Sequence, residues 1–130
     1  MAVDFAMPIL IVDDYKTMLR IVHNLLKQIG FENIDEATDG SMALTKRRRK
    51  KYALVISDWN MPNCSGLELL KRVRGDARFK KLPFVLLTAE AEVGQVKEAV
   101  LAGVSNYIVK PFTVDVIRTK LEQAHKKVAA

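Results

Sequence analysis

Five short segments rich in apolar and β-branched residues punctuate the chain: Ile9–Val12, Ile34–Ala37, Ala53–Ser57, Phe84–Leu87 and Asn106–Val109. Four have the composition of strands buried on both faces. Asn33-Ile34-Asp35-Glu36-Ala37 instead alternates polar and apolar residues, which predicts an edge strand with one wet side. Between the strands, Met18, Val22, Leu25, Leu26 and Ile29 recur at steps of three and four and Gly30 follows as a stop, so an amphipathic helix is predicted there. Leu67, Leu70, Val73 and Arg74 repeat the period in mid-chain. Val93, Val96, Val100 and Leu101 carry it ahead of Gly103, and Val114, Ile117, Leu121, Ala124 and Val128 carry it near the end. Each strand-to-strand interval has room for one helix. Alternating units of this kind predict an α/β fold with a five-stranded parallel sheet, doubly wound as (βα)5, with right-handed crossovers. No solenoid-length repeat, low-complexity linker or composition break interrupts the pattern, so one domain over residues 1–130 is expected.

Composition narrows the class. A chain of 130 residues, 49% apolar and 28% charged, is long enough to bury roughly two-thirds of its unfolded surface without disulfides or structural metals. No apolar run approaches the roughly 20 residues of a membrane span, and the first basic residue, Lys16, follows an acidic pair, unlike a secretory signal. The single cysteine, Cys64, has no partner for a disulfide or a metal site, and a cytoplasmic monomer is expected. Charge is uneven. The formal net charge is +6, and Lys46-Arg47-Arg48-Arg49-Lys50-Lys51 contributes six positives, leaving the rest neutral. A basic run at a helix C-terminus reads most simply as a solvated end favoured by the helix dipole. A docking patch for an acidic kinase surface or an anionic membrane is the sharper reading. Nucleic acid is not the expected partner, because the positives are not spread over a face with interleaved aromatics.

In open parallel sheets ligands bind beyond the carboxyl ends of the strands. There this sequence places Asp13-Asp14 after the first strand, Asp58 after the third, Thr88 after the fourth and Lys110-Pro111 after the fifth. Each alone has an ordinary explanation: Asp14 as a helix cap, Thr88 as a turn residue, Lys110 as a solvated charge. Together they are chemistry. Converging carboxylates repel unless one holds a proton or a cation intervenes, and a hard ion such as Mg2+ suits such a cage and anticipates a phosphoryl group. A lysine and a threonine hydroxyl supply donors to phosphoryl oxygens, and an aspartate can serve as the nucleophile.

Ile56-Ser57-Asp58-Trp59-Asn60-Met61-Pro62-Asn63, Gly66-Leu67-Glu68-Leu69-Leu70-Lys71, Thr88-Ala89-Glu90-Ala91 and Lys110-Pro111-Phe112-Thr113 resemble the receiver domain of two-component response regulators, most closely the single-domain chemotaxis regulators of the CheY type. The similarity runs from about Pro8 into the last helix. It implies a flavodoxin-like strand order of 2-1-3-4-5. It further implies Asp58 as acceptor of a phosphoryl group from a sensor histidine kinase of the CheA type, with Mg2+ held by Asp14, Asp58 and the Asn60 carbonyl, and by Asp13 through water. Lys110, joined to Pro111 by a cis bond, would pair with the phosphoryl oxygens. Thr88 and Tyr107 would form the switch, and Asn60 and Glu90 would tune dephosphorylation. The output surface would lie in roughly Val93 to Lys127 and bind a flagellar motor switch protein of the FliM type, and a phosphatase would be a further partner. With no output domain expected after Ala130, signalling would pass through binding. A receiver in another pathway and a phosphate sink are the alternatives within the family.

A phosphohydrolase of the haloacid dehalogenase type shares the aspartyl-phosphate chemistry but needs Asp-x-Asp after the first strand, which the adjacent Asp13-Asp14 does not supply. A nucleic-acid adaptor using the basic run is a third reading. Trp59 is expected as a partly exposed reporter beside the site, Met18, Met42 and Met61 as core or loop packing, and Cys64 as a small loop residue. His23 and His125 are expected solvated or lightly packed. Ser65 stands where the family often has aspartate, which bears on the loop around it.

Overall fold

A computed structural model of the protein describes residues 5–59, 61, 64–76, 82–88, 93–109 and 115–120, without the side chains of 47–49, 93–96 and 109. Strands β1 (Ile9–Val12), β2 (Ile34–Ala37), β3 (Leu54–Asp58), β4 (Phe84–Thr88) and β5 (Asn106–Val109) alternate with helices α1 (Lys16–Ile29), α2 (Gly40–Arg49), α3 (Gly66–Gly75) and α4 (Val93–Leu101). Residues 115–120 form a further helical segment, α5. All four strand pairings are parallel, in the order β2-β1-β3-β4-β5. The chain therefore has the doubly wound flavodoxin-like fold, with the alternating strand at an edge. The ends of β3 and β4 run one residue beyond the predicted apolar segments because backbone pairing, not side-chain polarity, ends a strand. Asp58 is still in register with Leu87, and Thr88 with Val109.

The period-2 alternation of the strands divides the core. Leu10, Val12, Val55, Phe84 and Leu86 face one layer with Ala43 and Leu44 of α2, Leu67, Leu70 and Val73 of α3, and Ala99 of α4. Ile9, Ile11, Leu54, Ile56, Val85, Leu87 and Ile108 face the other, against Leu19, Val22 and Leu26 of α1 and Ile117 of α5. The buried stripe of α1 is thus centred on Leu19, Val22 and Leu26, and Met18, Leu25 and Ile29 flank it half-buried. Gly30, at φ 126°, closes α1 with its N–H shared between the Leu26 and Lys27 carbonyls, a backbone conformation that glycine tolerates at little cost.

The sequence pattern misplaces one helix face. Val100 and Leu101 of α4 were expected to point inward, but they are 60% and 79% exposed while Ala99 is fully buried. A nine-residue helix carrying apolar residues around more than one side leaves periodicity unable to select the packed face. Met18 and Met61 pack as expected, whereas Met42 is exposed. The expected terminal-helix residues Val114, Leu121, Ala124 and Val128, and also His125, lie outside the described residues.

At the β2 edge two lysines of the basic run act locally. Lys46 Nζ donates to the Glu36 carbonyl, and Lys50 Nζ donates to Asn33 Oδ1 at 3.1 Å and to Asp35 Oδ2 at 3.0 Å. Buried Tyr52 donates its hydroxyl to the same carboxylate oxygen at 2.7 Å, and Lys50 Nζ stands 5.6 Å from its ring centroid. The run is therefore not wholly a solvated helix end. Its Lys46 and Lys50 fasten the end of α2 to the edge strand and cover polar groups that an edge otherwise leaves open.

The Tyr52 hydroxyl holds the Asp35 carboxyl below its ordinary value near 3.8, opposed by burial and aided by Lys50, while burial and then Asp35 raise the Tyr52 hydroxyl well above its usual value. A depressed folded-state carboxylate contributes stability above its unfolded value and loses it as pH falls through its folded value. Tyr52→Phe is expected to lower the urea midpoint at neutral pH, with the gap to wild type narrowing below about pH 4, measured across a pH series. Leu26→Ala is expected to cost about 2–5 kcal/mol in the same assay, and Leu101→Ala less than about 0.5 kcal/mol.

Candidate functional site

The carboxyl ends of β1 and β3 meet at the centre of the sheet, and they bring three carboxylates together. Asp13 and Asp14 follow β1 directly, and Asp58 is the last residue of β3. One carboxylate oxygen from each lies within 4.8 Å of the others, with Asp13 and Asp58 buried and Asp14 exposed. Adjacent β1 and β3 impose this meeting, with Val12 in register with Ser57. Asp13 is fixed further: its N–H donates to the Ala37 carbonyl at 3.1 Å, and its Oδ1 accepts from the Tyr15 N–H at 2.9 Å. Helix α1 begins after Tyr15 with no side-chain cap, so the expected alternative of Asp14 as a cap does not apply.

The loop after Asp58 is built by close approach. The Trp59 N–H donates to the Leu87 carbonyl at 2.9 Å, and the Gly66 N–H returns to the Trp59 carbonyl at 2.9 Å. A Cβ at Gly66 would lie 2.2 Å from the Asp58 carbonyl oxygen and 2.8 Å from Leu86 Cδ2, so only glycine fits there unless the backbone shifts. Ser65, where a departure was noted in the sequence, caps α3: its hydroxyl accepts from the Glu68 N–H at 3.2 Å. Fully buried Ser57 donates to the Asp58 carbonyl at 3.0 Å. The role of Gly66 was not anticipated, although its spacing after Asp58 was visible. Nor was that of Ser57, for which an apolar strand offers no signal.

Trp59 departs from expectation. It is 9% exposed and belongs to the apolar layer that also contains Met61 and Cys64. An indole next to a polar site can still bury its ring when that ring joins an apolar layer. Cys64 is a loop residue as expected, but it is buried, and burial pushes its thiol pKa up, away from reactivity. His23 is half-exposed on α1 and meets Glu36 at 3.1 Å.

Thr88, buried, ends β4 one position past Leu87, the register partner of Asp58. Tyr107 is half-buried in β5, in register with Leu86, with Lys120 Nζ 5.2 Å from its ring centroid. Lys110 and Pro111, expected to form a cis pair, and Asn60 and Glu90 lie outside the described residues. The structure thus brings Asp13, Asp14 and Asp58 together and sets Thr88 on the next strand at the same edge. Three hard oxygen donors without thiol or imidazole suit a divalent cation that prefers oxygen, Mg2+ among them.

Residues 9–122 match the family model described as the response regulator receiver domain. The chain belongs to that family. Among its relatives, a chemotaxis protein CheY of Pseudomonas aeruginosa is 48% identical over 122 residues, covering 94% of this chain and 98% of the relative. The solved chemotaxis protein CheY4 of Vibrio cholerae superposes with a TM-score of 0.86 at 30% identity, over 92% of this receiver and 98% of that chain. The receiver domain of sensor histidine kinase PA1611 of P. aeruginosa, 22% identical, shares the fold with a TM-score of 0.82 over 96% and 99% of the two chains. Its structure has a magnesium ion coordinated in the active-site cleft. This receiver is thereby grouped with signalling proteins, not with classical enzymes, and the phosphohydrolase alternative has no support. Among the described residues no helix is long and apolar enough to cross a membrane.

Gly66→Ala is expected to lower stability by about 1–3 kcal/mol, because either the Asp58 carbonyl or the start of α3 must move. The same variant should bind divalent cations more weakly than wild type, read by thermal denaturation with and without the ion.

Proposed function

We propose that this receiver is a phosphorylation-activated switch whose acceptor is Asp58 and whose phosphoryl donor is a phosphohistidine on a sensor kinase of the CheA type. The convergence of Asp13, Asp14 and Asp58 carries the reading. A carboxylate oxygen of Asp58 would attack phosphorus. The new O–P bond forms as the donor's N–P bond breaks, and the imidazole leaves with the electron pair and takes a proton. Asp13, Asp14 and Asp58, with the backbone carbonyl of Asn60, would hold Mg2+. That ion would shield the carboxylates from one another and from the incoming phosphoryl oxygens. A magnesium-bearing relative with the same fold makes this the natural choice of cation.

Lys110 would neutralise the added charge and Thr88 would donate its hydroxyl to a phosphoryl oxygen. Movement of Thr88 frees space at the strand edge, and the half-buried Tyr107 on β5 would turn into it. The product is a population shift, because the conformer that satisfies the new acceptor oxygens is favoured. The changed surface is that of α4, β5 and the following helix, and a motor switch protein of the FliM type is the partner we infer from the relatedness to chemotaxis proteins. Asn60 and Glu90 would set the lifetime of the acyl phosphate.

Because Trp59 adjoins Asp58, it should report occupancy of the site. Magnesium is expected to change its fluorescence, and beryllofluoride to change it again. Asp58→Asn should abolish the second response in a protein that remains folded by circular dichroism, and a retained response would remove Asp58 as acceptor.

A further inference from the structure

A second surface lies on the α1 side of the β2 edge and has no part in the acceptor chemistry. It is a groove of about 380 Å3 lined by Lys16, Arg20, His23 and Asn24 of α1, with Leu19 among its lining residues and Glu36 and Thr38 contributed by β2 and the residue after it. Lys16, Arg20 and Asn24 follow one another at four-residue steps, so they form a row about 12 Å long on one face of α1. The charges are unequally answered. Glu36 is engaged by His23 at 3.1 Å, whereas Lys16 and Arg20 have no ion-pair partner among the described residues. The groove thus presents two cations and the single carboxylate of Glu36, with side-chain amide and hydroxyl donors beside them, over a buried leucine.

We propose that this groove docks an acidic peptide segment of a partner protein, with its carboxylates on Lys16 and Arg20 and its backbone against Asn24 and Thr38. Charge complementarity selects the occupant. A nucleic acid carries an unbroken row of phosphates and would set one against Glu36, whereas a peptide can place a neutral residue there. The row of donors also exceeds what a single small anion can span. The groove begins two residues after Asp14, and Thr38 follows Ala37, whose carbonyl holds the Asp13 N–H, so an occupant would lie beside the carboxylate cluster without entering it. The proposal goes beyond the acceptor reading and does not depend on it.

The test uses a fluorescein-labelled peptide of about twelve residues with glutamate at every fourth position on an alanine background, matching the helical row. Binding is followed by anisotropy at about 50 mM salt, where rim charges are weakly screened. Lys16→Glu with Arg20→Glu is expected to weaken binding about tenfold or more, whereas Arg47→Gln, Arg48→Gln and Arg49→Gln together should leave it within about twofold. Equal losses in both variants, or a loss confined to the arginine variant, would mean general attraction to the basic run and overturn the proposal. Absence of binding to the wild-type protein would overturn it as well, as would a preference for single-stranded DNA of equal charge that is lost with Lys16 and Arg20. The beryllofluoride response of Trp59, measured on the same variants, should be unchanged. Its loss in the Lys16 and Arg20 variant would show that the substitutions reach the carboxylate cluster, and the docking role would then be withdrawn.

Discussion

The repulsion among Asp13, Asp14 and Asp58 is the constraint on which the rest of this molecule turns. At separations within 4.8 Å each ionised pair is unfavourable by roughly 3 kcal/mol at an effective dielectric near 20. A fold gathers such groups only where other forces hold the backbone in place. Here those forces are the two apolar layers on either side of a parallel sheet, which fix the ends of β1 and β3 side by side regardless of the charges they carry. That crowding of charge is what a bound cation would relieve and what the proposed phosphorylation of Asp58 would alter.

Around that cluster the supporting groups do positional work. Gly66 lets the start of α3 press against the Asp58 carbonyl, Ser65 caps that helix, and the Trp59 backbone ties the loop to β4 through Leu87. Asp13 is tied to β2 through Ala37 and to the first turn through Tyr15. Displacement at the cluster therefore has rigid paths into β4 and the elements that follow it. On α4, downstream of β4, Val100 and Leu101 are exposed apolar side chains.

The β2 edge has a different economy. Asp35 and Glu36 give it negative side chains, and the lysines that begin and nearly end the basic run fold back upon it, one to a backbone carbonyl and one to a carboxylate shared with Tyr52. Excess positive charge in the sequence is thus partly spent inside the fold. On α1, Lys16 and Arg20 line a groove and form no ion pair among the described residues.

Strand and helix alternation, the edge character of β2 and the collection of acids at one sheet edge were legible in the residues themselves, because period-2 and period-3.6 burial and strand-end polarity are local properties. The resemblance to receivers supplied the strand order before the structure did. Local pattern failed where burial depends on what lies opposite: Val100 and Leu101 have the right spacing but are exposed, Leu19 packs although Met18 marks the period, and Trp59 is buried in the apolar layer. Gly66 was visible only as a motif residue, since the 2.2 Å approach that requires it involves a carbonyl eight positions away. Sequence alone determined which residues could do the chemistry. Tertiary structure decided which of them meet and which cations remain unpaired, because distances between elements are set by packing across the sheet and not by position along the chain.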